Sequence, residues 1–291
     1  MKGDYVSFKW KWGLGVGLLV AVLGLATVVA CHCFGVGSLF SIQKGELAGR
    51  AEWEDLGPTP LADKGYTPQG MVFLDGKIIW ANSWDDINCR VYEIDPKTMT
   101  VLRHFDMPEE AVHTSGFTWD GEYLWGVDYI SNRAYRIDLE PSLASGKVVL
   151  AGSFDTTLEG TSACCMVPWK GKQLLAISDF MNSRDTIFVD TAVALDGGSA
   201  ANAIVFSYRN EGFSQGLEFA DGFLYESENK LGKSVINKMD LGKLERTGDA
   251  VQSIVKQYRA PDAGVEDLAW DGQYMWTSDE KVFRFFRGRL K

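Results

Sequence analysis

One phrase recurs five times in this chain, and that repetition restricts the fold more than any other feature. The phrase is a polar or Gly-containing entry, an aromatic, an Asp-Gly turn and an aromatic-rich segment. It reads Gln69-Gly70…Phe73…Asp75-Gly76…Trp80, then Ser115-Gly116…Trp119-Asp120-Gly121…Trp125. A degenerate third copy holds Trp169…Gly171…Leu175. The fourth is Gln215-Gly216…Phe219…Asp221-Gly222…Tyr225, and the fifth Glu266-Asp267…Trp270-Asp271-Gly272…Trp276. A spacing of roughly 45–55 residues is that of propeller blades.

Each copy continues alike. Asp-Gly between alternating apolar segments signals a hairpin. A third strand follows and ends in Asp in four copies, at Asp95, Asp138, Asp190 and Asp240, where the carboxylate is expected to cap a turn. A fourth strand closes four copies, but the fifth stops at Lys281–Gly288 without one. Residues 47–57 read as a fourth strand with nothing before it. Pairing that strand with the last blade closes a ring and removes free sheet edges. The chain is therefore expected to be all-β, a five-bladed β-propeller of four-stranded blades over 47–291, closed by its N-terminal strand. Residues 191–203 read as an insertion in the third copy.

The repeated Trp, Phe and Tyr are expected to pack between neighbouring sheets. Blades are equivalent by default, so departures carry more information. After the aromatic of strand two stand Ala81, Gly126, Ala176, Glu226 and Thr277. Glu226 is the one carboxylate. Buried charge needs a partner or a wet cavity, so Glu226 reads either as a lysine-paired group, with Lys230 or Lys233, or as a channel acid suited to proton transfer. The strand-one entries Gln69, Ser115, Glu159, Gln215 and Glu266 are expected to ring one mouth. Strand-two tails add Asn82, Ser83, Trp84, Asp128, Asp179, Glu228 and Asp279. Such a rim suits an amine or Ca²⁺ or is simply solvated; no dense Asp-x-Asp-x-Asp loop is present. No other cofactor is expected. Ser227-Glu228-Asn229-Lys230 matches Ser-x-x-Lys, but a β hairpin lacks the helical geometry that motif requires.

Before the repeats, residues Gly13 to Ala30 are uncharged and nearly all apolar, long enough to span about 30 Å of hydrocarbon as a helix. Lys2, Lys9 and Lys11 precede them, with Trp10 and Trp12 at the expected interface. Positive-inside asymmetry puts residues 1–12 in the cytoplasm, a transmembrane helix over 13–34, a linker over 35–46 and the propeller outside, in a periplasm. Val28-Val29-Ala30-Cys31 also reads as a lipobox, and a cleaved signal peptide is a third reading. Cys31-His32-Cys33 is too compact to wrap a tetrahedral ion. Five cysteines are too few for a disulfide scaffold, and no Asn-X-Ser/Thr acceptor occurs. A net charge of −10 without a basic stripe argues against nucleic acid.

Phe213-Ser214-Gln215-Gly216-Leu217, then Leu224-Tyr225-Glu226-Ser227 and Gly232-Lys233-Ser234, resemble the glutamine cyclotransferase family, the plant-type glutaminyl cyclases. Trp80-Ala81-Asn82-Ser83-Trp84…Tyr92-Glu93-Ile94-Asp95-Pro96 is similar to a further blade of that family. Here the blade order is shifted, Glu228-Asn229 replaces the family's Thr-Gly, and Asn237 replaces an Arg. The resemblance implies a five-bladed propeller and ring closure of an N-terminal glutamine with loss of ammonia. It implies Glu226 as the proton-shuttling acid and Gln215, Asn82 and Trp84 as substrate-holding residues. Three functions are carried forward. The first is a membrane-anchored binding or assembly module for a membrane or periplasmic protein partner, with Gln215, Asn82, Trp84, Gln69 and Glu266 as its ligand-binding residues. The second is a cyclotransferase, and the third a Ca²⁺-dependent lactonase or hydrolase.

Overall fold

A computed structural model describes residues 47–84, 87–180, 182–229 and 233–291, the side chain of Trp84 excepted. The expected cytoplasmic tail, transmembrane or signal segment and linker lie outside these residues. Among the described residues, no helix is long and apolar enough to cross a membrane.

Five four-stranded antiparallel sheets are present. The first blade is β2 (Thr67–Leu74), β3 (Lys77–Trp84), β4 (Asn88–Asp95) and β5 (Thr100–Asp106). The second is β6 (Thr114–Trp119), β7 (Leu124–Asp128), β8 (Arg133–Ile137) and β9 (Leu150–Asp155). The third is β10 (Thr161–Trp169), β11 (Lys172–Asp179), β12 (Asp185–Val189) and β13 (Ile204–Arg209). The fourth is β14 (Phe213–Ala220), β15 (Phe223–Asn229), β16 (Ser234–Asp240) and β17 (Ile254–Arg259). In the fifth, β18 (Val265–Trp270), β19 (Met275–Asp279) and β20 (Arg284–Leu290) are completed by β1 (Ala51–Pro58). The expected closure is thus observed: Ala51 pairs with Leu290 and the register runs to Pro58 opposite Arg284.

The innermost strands β2, β6, β10, β14 and β18 pack side by side around the axis. Their approach is close enough to exclude side chains. A Cβ on Gly116 would lie 2.7 Å from the Ala163 and Cys164 backbone, and one on Gly70 would lie 2.9 Å from Gly116. The Asp267 carboxylate fills the remaining gap. One oxygen accepts the N–H groups of Met71 (2.9 Å) and Phe117 (3.0 Å), and the other that of Leu268 (3.0 Å). Three blades are thereby joined at the axis.

Trp80, Trp125, Leu175, Tyr225 and Trp276 are all buried between blades, as the repeat implies. The Asp-Gly pairs do two jobs. Asp75-Gly76 and Asp221-Gly222 form two-residue turns with positive φ at both positions, the geometry that favours these residues. Asp120 and Asp271 sit in longer loops. Each accepts two backbone N–H groups and the indole N–H of its own Trp125 or Trp276 at 2.7 Å.

One expectation is corrected. The insertion is not confined to the third blade. Helices α1 (Leu139–Ser145), α2 (Thr191–Gly197) and α3 (Leu241–Thr247) connect strands three and four in blades two, three and four, and α4 (Ala250–Ser253) follows α3. The Asp ending strand three stands at the N-cap in each case, and Asp190 and Asp240 accept an N–H from the first turn. Asp95, in a blade with no helix, caps a plain turn through Lys97 N–H at 2.8 Å. The capping chemistry was legible, but seven-residue helices are too short to show a 3.6-residue apolar period.

Candidate functional site

Every inner strand breaks register at its entry. The breaks fall between Pro68 and Met71, Thr114 and Gly116, Thr161 and Ala163, Ser214 and Gly216, and Val265 and Leu268. A β-bulge re-aims the extra residue. The extra residues are Gln69, Ser115, Ser162, Gln215 and Glu266, and all five line one cup of about 140 Å³. Four were expected there. In the third blade Ser162 takes the place assigned to Glu159, which is exposed.

The two serines are committed to the fold. Ser115 Oγ donates to the Thr161 carbonyl at 2.7 Å, and Ser162 Oγ lies 3.0 Å from Ser178 Oγ. The longer three are turned to the cup. Gln215 Nε2 donates to Glu266 Oε1 at 2.9 Å. Gln69 is 2 % exposed, and its Oε1 is buried with no donor within reach. Burial, with Glu280, Asp279 and Asp267 nearby, raises the Glu266 carboxyl well above the ordinary range. Glu280, on the cup wall, is also raised, first by burial.

His113, Tyr129 and Phe180 complete the wall. Their rings run in series, His113 to Tyr129 at 5.4 Å and Tyr129 to Phe180 at 6.5 Å, with Phe213 5.5 Å beyond Phe180. These residues and Glu280 were missed, although a signal existed. Tyr129, Phe180 and Glu280 each directly follow a strand-two acid: Asp128, Asp179 or Asp279.

The strand-two acids are not free cation ligands. Asp128 accepts N–H groups from His113, Ile130 and Ser131. Asp279 does the same for Gly264, Lys281 and Val282. Asp179 binds the Glu159 and Asn182 amides, and Glu228 takes Gly212 N–H and Asn237 Nδ2. They tie the incoming inter-blade segment to strand two. Among the described residues no group of three or more His, Cys, Asp or Glu could hold a metal ion. Buried thiols follow the same pattern of inertness: desolvation pushes Cys89 up to about 12 and raises Cys164 and Cys165 well above the ordinary thiol range.

Two expected partners of Gln215 lie elsewhere. Glu226 is fully buried, opposite Leu217 and Asn237, with Tyr208 and Cys165 feeling its charge; it does not line the cup. Asn82 lines a separate crevice with Tyr66, Asn88, Arg90 and Tyr92. The side chain of Trp84 lies outside the described residues.

No protein-family model and no curated protein matches this chain. Solved structures do. The crystal structure of Myxococcus xanthus glutaminyl cyclase superposes with a TM-score of 0.60 at 15% identity, over 84% of this chain and 98% of that one. What they share is the fold. The propeller that the resemblance implied is therefore the observed one, and residue roles do not follow from it. A PQQ-bound aldose sugar dehydrogenase from Streptomyces coelicolor aligns less well, with a TM-score of 0.48 at 15% identity over 83% of this chain and 82% of that one.

Proposed function

We propose that this chain is a propeller tethered outside a cytoplasmic membrane by its N-terminal apolar segment, and that its cup captures a small ligand or a partner's chain end bearing an amino or amide group. The observation carrying this reading is the Gln69 Oε1 atom, a buried carbonyl oxygen with no donor, on the cup floor. Leaving such an acceptor unpaired costs about 1–3 kcal/mol, which a donor-bearing ligand recovers. Glu266 and Glu280 add two carboxyls, and no Lys or Arg among the described residues lines the cup, so a cation or neutral donor is favoured over an anion. Tyr129 and Phe180 supply aromatic surface suited to an ammonium group. A volume of about 140 Å³ admits one end of a peptide and not a folded partner. Calorimetric titration of the full chain tests this. A peptide with a free N-terminus is expected to bind, its N-acetylated form not to bind, and Gln69→Leu to weaken binding about tenfold. Equal binding of the acetylated peptide would overturn the reading.

A second reading is ring closure of an N-terminal glutamine. Support comes from the Gln215–Glu266 pair of the cup and from the fold shared with a glutaminyl cyclase. The amine nitrogen attacks the side-chain amide carbon, the lactam C–N bond forms, and ammonia leaves. Burial raises the Glu266 carboxyl well above the ordinary range, which suits it to give a proton to departing ammonia and receive one from the attacking amine. Ammonia release from a Gln-leading peptide tests it, with Glu266→Gln set against Glu226→Gln. The variant that loses turnover identifies the acid, and no release from the wild-type chain removes the reading.

A further inference from the structure

The crevice that holds Asn82 has a chemistry opposite to that of the cup. It encloses about 100 Å³ and shares no residue with the cup. Such a space is several times what one water needs. Among the described residues its lining is one guanidinium, two phenols and two carboxamides, with no carboxylate, in a chain of net charge −10.

The side chains converge because of the β3–β4 register. Asn82 stands opposite Arg90, and Trp80 opposite Tyr92, so Asn82 and Tyr92 rise on one face of the first blade. Asn82 is 3 % exposed, and its Nδ2 is buried and makes no well-formed hydrogen bond, with the Tyr92 hydroxyl beside it. Arg90 commits Nε and Nη2 to Asp106, at 2.5 and 3.2 Å, and its guanidinium also lies against the Tyr92 hydroxyl. Its side chain is 40 % exposed. The Tyr92 hydroxyl lies by both Asn82 and Arg90.

We infer that this crevice binds a small carboxylate, its oxygens taken by Asn82 Nδ2, the Arg90 guanidinium and the Tyr92 hydroxyl. A buried carboxamide donor without a well-formed hydrogen bond is costly, and an anion supplies a stronger acceptor than a phenol oxygen. Guanidinium groups bind carboxylates through paired N–H donors, and the flat three-atom carboxylate matches the small volume. The site is independent of the cup and stands or falls separately from its proposed ligand.

The test is thermal unfolding of the full chain in sodium acetate or sodium phosphate, against sodium chloride at equal ionic strength. Acetate is expected to raise Tm saturably beyond chloride. Asn82→Asp keeps the shape and replaces the donor by a charge that repels the ligand, so the acetate response is expected to vanish. Tyr92→Phe keeps the packing and is expected to weaken half-saturation several-fold. An acetate response no larger than that of chloride overturns the site, since water alone then fills it. A response that survives unchanged in both variants places binding elsewhere and also overturns it. Phosphate acting at lower concentration than acetate overturns the carboxylate assignment.

Discussion

Gln215 Nε2 donates to Glu266 Oε1 across 2.9 Å, joining the fourth and fifth blades at the floor of the cup. Both residues are bulge residues, each one the extra member of its inner strand. The bond therefore depends on two local irregularities that turn side chains out of the sheet and toward the axis. A Glu that accepts an amide N–H at one oxygen keeps its second oxygen for a ligand, as an acceptor or, when protonated, a donor. This versatility is what the cup offers beyond its shape.

Raised carboxyls make the fold sensitive to alkali. Burial lifts Glu218 to about 8 from a reference of 4.5, against the N–H groups of Trp270 and Phe219 that pull it down. Its carboxyl is enclosed although the residue as a whole is only half-buried. Glu266 and Asp267 are raised in the same sense. A raised folded value means the native state holds a proton that the unfolded chain releases. The contribution is complete below the unfolded carboxyl range and is lost as pH climbs toward about 8. Tm is expected to fall from about pH 5 to about pH 8, and Glu218→Gln to flatten that slope. A variant with the wild-type slope would show that Glu218 does not hold its proton.

Asp267 anchors three blades through backbone N–H groups, and its substitutions should split by shape. Asp267→Asn retains an oxygen for Met71 and Phe117 and is expected to fold with nearly wild-type stability. Asp267→Leu strands those two buried donors, at about 3 kcal/mol or more. Urea unfolding of the two variants measures the difference. Equal losses would mean that packing, not hydrogen bonding, matters at the axis.

Much of this architecture was legible because propeller blades repeat. Five recurrences of an Asp-Gly hairpin between aromatics fix the blade count, and an orphan strand at 47–57 facing a three-stranded last copy fixes the closure. Gln69, Ser115, Gln215 and Glu266 could be placed together because equivalent positions in a rotational repeat share a ring. Glu226 could not be placed, because residue type says only that it departs from the repeat and not which way its strand faces. Asn82 was misplaced for a similar reason: it stands opposite Arg90, in the same alternation as Trp80 and Tyr92, and a residue type does not say which face its position in the strand presents. The roles of Asp128, Asp179, Glu228 and Asp279 were hidden because their partners are backbone amides, which leave no mark in a sequence.

The closing strand is held by a wedge. Trp53 lies over Gly288, where any Cβ would come within 2.4 Å of its ring, and its indole donates to the Arg259 carbonyl at 3.0 Å. Three ion pairs also cross the seam, Lys291 to Glu52, Arg287 to Glu54 and Arg284 to Asp55, but exposed pairs contribute little. Trp53→Ala is expected to cost about 2 kcal/mol and Gly288→Val more, while Glu52→Gln changes stability by less than about 1 kcal/mol. Chemical denaturation ranks the three. A larger loss at Glu52 than at Trp53 would mean that charge closes the ring.

The same dipeptide serves two purposes, and one experiment separates them. Asp120 bonds its turn and also the Trp125 indole, whereas Asp75 occupies a left-handed position with φ 49° and the Trp80 indole turns instead to Ser278 Oγ at 3.3 Å. Removing Asp120 should therefore be felt at Trp125. Asp120→Ala is expected to cost about 2 kcal/mol, and a double-mutant cycle with Trp125→Phe should give a coupling of about 1 kcal/mol. The matching cycle between Asp75→Ala and Trp80→Phe should give none, because Asp75→Ala loses only turn geometry, at about 1 kcal/mol. Equal couplings in the two blades would show that the Asp–indole bond adds nothing to the hairpin and that the repeated Asp is retained for its backbone conformation alone.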